Sequence, residues 1–326
     1  MNLFLGRGCN ESCSFCYAGD YFADTPRVSR REVLKGIASY AALVSTAPPL
    51  PAWSEDVDEL TMTLFSSRAV NLLGGEPTIH PDFVAIVEAI AGHGLGPVVF
   101  TNASRPDRIA KVADKLWSIT VNGHFAHRAP KLPFDIRRIF ANLPIRPKDD
   151  IVESLKPIAD AGIKGVFLAF ATPVGGADPN CFTPEDQPRM QELHAQALEF
   201  CEANGIYLGY DCSFPLCVDE RVKQTKCSSV PVMDESGFVT ICGGEYAWKD
   251  GRRHVSTFFS LDHMHRYTLG LINGLRALPS RFDVCNTCPE FNKKCHGMCL
   301  AYREKPTSPG APAGRPTQAS GVVLSA

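Results

Sequence analysis

The sequence predicts an α/β protein: a partial, curled (β/α)6 barrel followed by a small cysteine-rich module. Three observations carry this. Short apolar runs alternate with helical periodicities as far as residue 211, which indicates parallel strands with helices outside them. Right-handed crossovers curl such a sheet. Second, a cysteine loop, Gly74 to Pro77, Thr101-Asn102, Asn122 and Asp211 all fall at the C-terminal ends of the strands, where barrels of this type carry their chemistry. Third, eight of the thirteen cysteines crowd into residues 212–299, where the alternation stops. The expected divisions are 1–211 for the barrel, 212–303 for the cysteine-rich module and 304–326 for a tail. The tail is dominated by Pro, Gly, Ala and Ser and is expected to be disordered.

The first strand, Leu3-Phe4-Leu5, feeds a polar loop in which Cys9, Cys13 and Cys16 are spaced C-x3-C-x2-C. Ser29 and Glu32 form a capping box, and Val33, Leu34, Ile37, Tyr40, Ala41 and Val44 continue at helical spacing. The Arg30-Arg31 pair followed by Ala47-Pro48-Pro49 imitates a twin-arginine export signal. It lies after the cysteine loop, which cleavage would remove, so the helix is the better reading. Strand two, Ala69 to Leu73, ends in Gly74-Gly75-Glu76-Pro77, and Pro81 opens a helix to about His93. Strand three runs from Pro97 to Thr101, a helix covers about Pro106 to Lys115, and strand four covers Trp117 to Val121. Residues 122–149 hold clustered Pro and Gly and read as a loop with a short helix. A helix at Ile151 to Ala161, a strand at Gly165 to Phe170, a helix at Pro184 to Asn204 and a strand at Ile206 to Tyr210 complete six units.

Composition excludes several classes. A net charge of −2 gives no case for nucleic acid or an anionic membrane as partner. No run of about 18 apolar residues exists, so no membrane span is expected. An odd cysteine count without a secretory leader argues against a disulfide framework. The thiols point instead to metal and to a reducing compartment, so the expected location is cytoplasmic.

Three thiolates on one loop can hold three corners of a [4Fe–4S] cluster and leave one iron open for chemistry. A zinc knuckle would use the same residues. With Phe15 before the third cysteine, the loop resembles that of the radical S-adenosylmethionine (SAM) enzymes, C-x3-C-x-aromatic-C. The resemblance implies that Cys9, Cys13 and Cys16 are catalytic metal ligands and that SAM binds the open iron. It implies reductive SAM cleavage and hydrogen-atom abstraction from substrate. Gly74, Gly75, Glu76 and Pro77 match the family's motif for the SAM amino group. Thr101, Asn102 and Asn122 could bond the SAM carboxylate or ribose, or serve as turn formers. Phe15 and Tyr17 could flank the adenine or simply pack. Asp211 is a candidate base near the radical site, with a backbone turn as the alternative. His124, His127 and Arg128 would face the barrel mouth.

The distal cysteines resemble the SPASM extension of radical SAM enzymes, which usually carries two auxiliary [4Fe–4S] clusters. Cys227-x9-Gly237-x4-Cys242 and Cys285-x2-Cys288-x6-Cys295-x3-Cys299 follow its pattern, with one extra residue before Cys295 and no cysteine after Cys299. The segment from Gly237 to Cys242 reads as a tight hairpin. The resemblance implies one cluster on Cys227, Cys242, Cys299 and either Cys217 or Cys212. The second would use Cys285, Cys288 and Cys295 and lack a fourth ligand, for which His296 is available. Alternatively Cys285, Cys288, Cys295 and Cys299 share one cluster or zinc, so one or two auxiliary clusters are expected. Cys181 and Cys201 read as buried thiols.

The implied partners are an electron donor such as flavodoxin or ferredoxin and a substrate, first of all a ribosomally made peptide. The peptide-docking domain that many relatives carry before the cluster loop is expected to be missing, since the loop starts at Cys9. A separate docking protein, or a small-molecule substrate, is therefore an alternative. A non-catalytic metal-binding or electron-carrying protein is the rival from another class.

Overall fold

The computed structural model describes residues 1–6, 8–16, 28–51, 66–171, 181–211, 214–222, 230–241 and 252–300. Tyr17, Cys212, Cys227, Cys242 and the tail lie outside the described residues.

The parallel strands are β1 (Asn2–Leu5), β2 (Ala69–Gly74), β3 (Gly96–Thr101), β4 (Ser118–Asn122), β5 (Ile139–Ile145), β6 (Gly165–Phe170) and β7 (Tyr207–Tyr210). Three short strands follow: β8 (Val232–Met233), β9 (Phe238–Thr240) and β10 (Arg253–His254). All belong to one sheet in the order β10-β9-β8-β1-β2-β3-β4-β5-β6-β7. From β1 to β7 the spatial order is the chain order, so the crossovers all step the same way. With right-handed crossovers this puts the helices on one face and leaves the other concave.

The expected α/β class with a parallel core is therefore present, with one strand more than the six expected. The addition is β5, inside the stretch read as a loop. It pairs with β4 from Ile119↔Ile139 to Asn122↔Asn142 and with β6 from Ala141↔Val166 to Ile145↔Phe170. Pro144 argues against a strand in sequence, because proline cannot donate to a ladder. Here its carbonyl accepts a 2.8 Å bond from His124 Nε2, so this side of Pro144 faces beyond the last β4 pair and no ladder bond is lost.

The helices are α1 (Arg30–Leu43), α2 (Phe83–Gly92), α3 (Pro106–Ala110), α4 (Ile151–Asp160), α5 (Gln187–Ala203), α6 (Leu261–Arg276) and α7 (Asp283–Asn286). The capping box of α1 forms as its sequence requires: Glu32 N–H donates to the Ser29 hydroxyl and Ser29 N–H to the Glu32 carboxylate. Val33, Ile37 and Tyr40 of α1, Phe83, Ile86 and Ile90 of α2, and Met190 and Leu193 of α5 are fully buried. They join Leu3, Leu5, Val70, Leu72, Val99, Val121, Leu143 and Val166 of the strands in one core cluster. Each such side chain contributes about 1.5–3 kcal/mol.

Sheet register puts different residues on the opposite face. Asn71, Val98 and Ser118 align across β2–β4, and Asn122, Asn142 and Phe167 across β4–β6. The apolar part of that face is a separate cluster of Val98, Phe140 and Phe167, flanked by Phe100 and Trp117. Stability thus resides mainly on the helical side, and the concave face can carry polar groups.

At the barrel's far edge, buried His194 of α5 holds the Tyr210 hydroxyl at 2.7 Å, with Asp219 3.8 Å from its other ring nitrogen. Burial lowers the pKa of His194 below its ordinary 6.5, with Asp219 opposing. A folded state that prefers the neutral ring binds fewer protons than the unfolded chain, so stability is retained above about pH 6.5 and falls as pH drops below it. His194→Gln, which keeps a partner for Tyr210, is expected to flatten that acid-side loss. Urea midpoints at about pH 7.5 and 5.5 test this, and equal pH dependence of the two chains would refute it.

The distal chain extends the same sheet. β8 lies parallel to β1, with Asn2↔Val232 and Leu3↔Met233 aligned, and β8 and β9 form an antiparallel hairpin around Gly237. The stretch from Gly237, read as a tight hairpin in itself, instead supplies one strand of this hairpin, Phe238–Thr240, with the turn before it at Asp234–Gly237; Cys242 lies outside the described residues. Among the described residues no helix is long and apolar enough to cross a membrane.

Candidate active site

The cysteine loop leaves β1 and lies over the C-terminal ends of its neighbours. Cys16 N–H donates to the Cys13 carbonyl at 3.0 Å, closing its last turn. Cys9 is exposed and Cys13 and Cys16 are half-buried. Burial raises the Cys9 pKa, and Glu76 and Cys16 add to the rise. Cys13 is pushed up to about 11 by burial, then by Cys16, Cys9 and Glu11, with Arg128 opposing. The three sulfurs therefore stand within electrostatic reach of one another and of carboxylates. Such a donor set is stabilised as thiolates by a cationic iron core, so the residues present fit a cluster. Among the described residues no group of three or more His, Cys, Asp or Glu side chains is gathered to hold a single metal ion. Cluster ligands stand further apart than the ligands of one ion.

The loop is seated on the Gly74–Pro77 turn. Glu76 N–H donates to the Gly8 carbonyl at 2.9 Å. A Cβ at Gly75 would overlap the Gly8 carbonyl oxygen, with the Gly8 carbon at 2.6 Å and the Cys9 Cβ at 3.0 Å. Gly74, at φ +150°, would collide with the Leu5 and Gly6 carbonyls. Sequence reasoning reads these glycines as room for a ligand. What they admit at this position is the chain's own first loop.

Glu76 is 1 % exposed. Its Oε1 accepts from Thr78 N (3.0 Å), Thr78 Oγ1 (2.5 Å) and Thr101 Oγ1 (2.7 Å), and Oε2 accepts from Asn102 N at 2.6 Å. The carboxylate thus ties the end of β2 to the end of β3. Oε2 accepts one of these four bonds and keeps capacity for a further donor.

Other loops tether the cysteines. Asn102 Nδ2 donates to Asn10 Oδ1 at 2.9 Å, and Asn10 Nδ2 to Ser104 Oγ at 3.0 Å. Arg128, in the 3-10 segment after β4, pairs with Glu11 at 2.9 Å, donates to the Asn102 carbonyl at 3.1 Å and lies over the Phe125 ring. Arg146, just past β5, donates to Ser14 Oγ and is held by Asp149 at 2.8 Å. Phe15 stacks on His124, centroids 4.6 Å apart. Asn122 caps the 3-10 segment by accepting from His124 N–H at 3.1 Å. Asp211 Oδ2 accepts from Asn142 Nδ2 at 2.9 Å. Asn10, Glu11 and Arg146 are the residues that sequence reasoning missed. A cavity of about 380 Å³ opens beside this loop, lined by Gly123, His124, Arg146, Lys148 and the first turn of α4.

Of the distal cysteines, Cys217 follows β7 and is exposed, while Cys285, Cys288, Cys295 and Cys299 lie together in the chain around α7. Cys181 and Cys201 are buried, and burial raises the Cys201 pKa to about 11. His80, which ends the turn after Glu76, reaches Glu235 of the hairpin at 3.5 Å and links the first loop to the distal chain.

A sequentially ordered parallel α/β sheet whose first strand runs into a thiol trio seated on a Gly-Gly-Glu turn defines a barrel enzyme with an iron–sulfur loop. The Radical SAM superfamily profile matches residues 3–182, and the chain belongs to that superfamily. Its members use a [4Fe–4S] cluster and SAM, so this chain is a radical SAM enzyme. Among solved structures, the chain is similar to SuiB of Streptococcus suis bound to S-adenosylmethionine, with TM-score 0.61 and 14% identity over 91% of this chain and 72% of that one. It is also similar to anSMEcpe with bound AdoMet, with TM-score 0.59 and 14% identity over 91% of this chain and 88% of that one. SuiB bound to its precursor peptide SuiA gives a TM-score of 0.59 at 14% identity, over 91% and 71% of the two chains. No curated protein matches the chain by sequence.

Proposed function

We propose that the chain modifies a ribosomally made peptide by radical chemistry, with Cys9, Cys13 and Cys16 as the cluster ligands. One observation supports the substrate class above all. Likeness to SuiB, a structure of which holds a precursor peptide, extends over 91% of the chain and so reaches well past residue 182 into the cysteine-rich part. When bound, the cluster and SAM supply one-electron cleavage of the sulfonium and abstraction of a hydrogen atom.

The chain's own residues hold and orient. Gly74 and Gly75 let the cysteine loop sit on β2, and Glu76 offers its remaining Oε2 capacity to the SAM ammonium. Phe15 and His124 form a stacked wall for the adenine. Thr101, Asn102 and Asn122 act mainly through the turns they brace. Asp211, steadied by Asn142, is the base at the mouth. Auxiliary clusters on the distal cysteines, a flavodoxin- or ferredoxin-type reductant and a separate docking protein complete the reading.

The test uses iron-reconstituted enzyme with dithionite, SAM and the peptides encoded by short reading frames next to its gene. Peptide-dependent 5′-deoxyadenosine and a peptide mass change are expected, both lost in Cys9→Ala. Turnover on a small metabolite with no peptide affinity would overturn the peptide assignment.

A further inference from the structure

We propose that the ion pair between Glu11 and Arg128 sets how readily the cluster of the first loop accepts an electron, with Arg128 a positioning residue that holds and neutralises Glu11. This rests on the reading of Cys9, Cys13 and Cys16 as the cluster ligands and adds a control on their redox behaviour.

Glu11 stands between two of those cysteines, two residues from Cys9 and two from Cys13. Consecutive Cα atoms are about 3.8 Å apart, so its backbone lies within about 7.6 Å of both. A carboxylate so placed opposes reduction of a cluster on these thiols, because the incoming electron adds negative charge. Arg128 brings the compensating charge from the 3-10 segment after β4, 117 residues along the chain. Its Nη1 donates both to Glu11 Oε1 at 2.9 Å and to the Asn102 carbonyl at 3.1 Å. The guanidinium also lies 4.3 Å from the centroid of the Phe125 ring.

These contacts close a ring. Asn102 Nδ2 donates to Asn10 Oδ1 at 2.9 Å, and Asn10 directly precedes Glu11. Asn102 N–H is itself fixed on Glu76 Oε2 at 2.6 Å. Both members of the pair are thus tied to the end of β3, and moving either charge strains a second bond. The Glu11 and Arg128 side chains are each 26 % exposed, whereas Asp114 and Lys115, paired at the opposite end of the strands, are 73 % and 43 % exposed. Partial burial leaves the first pair the less screened of the two. Removing one partner therefore leaves a net charge beside the thiols, of a sign set by which partner is removed.

The test reads a potential rather than turnover. The full iron-reconstituted chain is titrated with redox mediators and followed by EPR, taking the reduced signal that shifts on adding SAM as that of the first-loop cluster. At a fixed poise, Arg128→Gln is expected to lower the ratio of reduced to oxidised cluster by about three- to tenfold and Glu11→Gln to raise it by a similar factor. For one electron, tenfold corresponds to about 59 mV. The double variant should return close to the native ratio, and Arg128→Lys, which keeps the charge but not the fork, should stay close to it. Asp114→Asn is the control and should leave the ratio unchanged. A midpoint belongs to the loaded fraction, so incomplete iron uptake in one variant does not obscure it. Shifts of the same sign in both single variants, a shift in Arg128→Lys as large as in Arg128→Gln, or unmoved potentials would show that the pair only braces the loop and would overturn the proposal. Absence of any SAM-sensitive signal from the unmutated enzyme would instead overturn the ligand reading, and this inference with it.

Discussion

Gly75→Ala is expected to strip the cluster from the Cys9/Cys13/Cys16 loop while leaving the barrel folded. The added methyl meets the Gly8 carbonyl group and Cys9 Cβ, which are backbone and the stem of a loop side chain rather than a flexible tip. Nothing at the contact can rotate aside, so the loop must lift from β2 or β2 must shift within the sheet. Forced overlaps of this kind cost about 3 kcal/mol or more. Lifting the loop also breaks the 2.9 Å bond between Glu76 N–H and the Gly8 carbonyl. Iron per chain should fall by the share of one cluster, and SAM cleavage should drop by at least about tenfold, since each 1.4 kcal/mol is a factor of ten. Gly92→Ala is the control. A Cβ there meets nothing within 4 Å, and the denaturation midpoint should hold or rise slightly. A Gly75→Ala chain with full iron and native turnover would show that the loop is not seated as described.

Glu76→Gln is expected to destabilise the protein by about 2–4 kcal/mol, the scale of losing charge-assisted bonds in a buried site and leaving donors opposed. The carboxylate accepts from two backbone N–H groups and two threonine hydroxyls. An amide has one accepting oxygen, so its NH2 must face a group that can only donate or force a hydroxyl to turn. The urea midpoint should fall with an unchanged slope. Thr101→Val should then cost less in the Glu76→Gln chain than in the native one, because the two groups share a bond. A native midpoint in Glu76→Gln would remove the brace from the account. SAM affinity, measured separately, tells whether Oε2 also meets the ligand.

Much of the architecture is legible because it is local. The strand–cysteine loop, the Ser29/Glu32 capping box, and the strands at β3, β6 and β7 each declare themselves within about ten residues. Two elements do not. β5 was hidden by Pro144 and the preceding Arg137-Arg138, whose tolerance depends on where β4 ends. α6 carries two histidines and two glycines in sixteen residues, so its periodicity is faint. Its start is nevertheless marked by Ser260, whose hydroxyl accepts from His263 N–H. The site divides the same way. Cysteine spacing can be read along the chain, whereas Arg128 meets Glu11 across 117 residues and Arg146 meets Ser14 across 132. Nothing in the local pattern of an arginine says which distant loop it will hold. Glu76 shows a subtler gap: its motif marks the position, but only the tertiary structure shows how much of the carboxylate is already committed to the chain.

The pairing of β8 with β1 sets an order of events during synthesis. β1 is the first strand to emerge, and its β2-facing side is satisfied once residues around Asn71 to Gly74 follow. Its other side waits for Val232 and Met233, which come only after β7. Until then the nascent barrel presents an open strand edge beside the loop of Cys9, Cys13 and Cys16, the arrangement most prone to pairing with another chain. The short hairpin of β8 and β9 therefore acts as a closure for the growing polypeptide, and a chain that stops after the barrel keeps that edge bare.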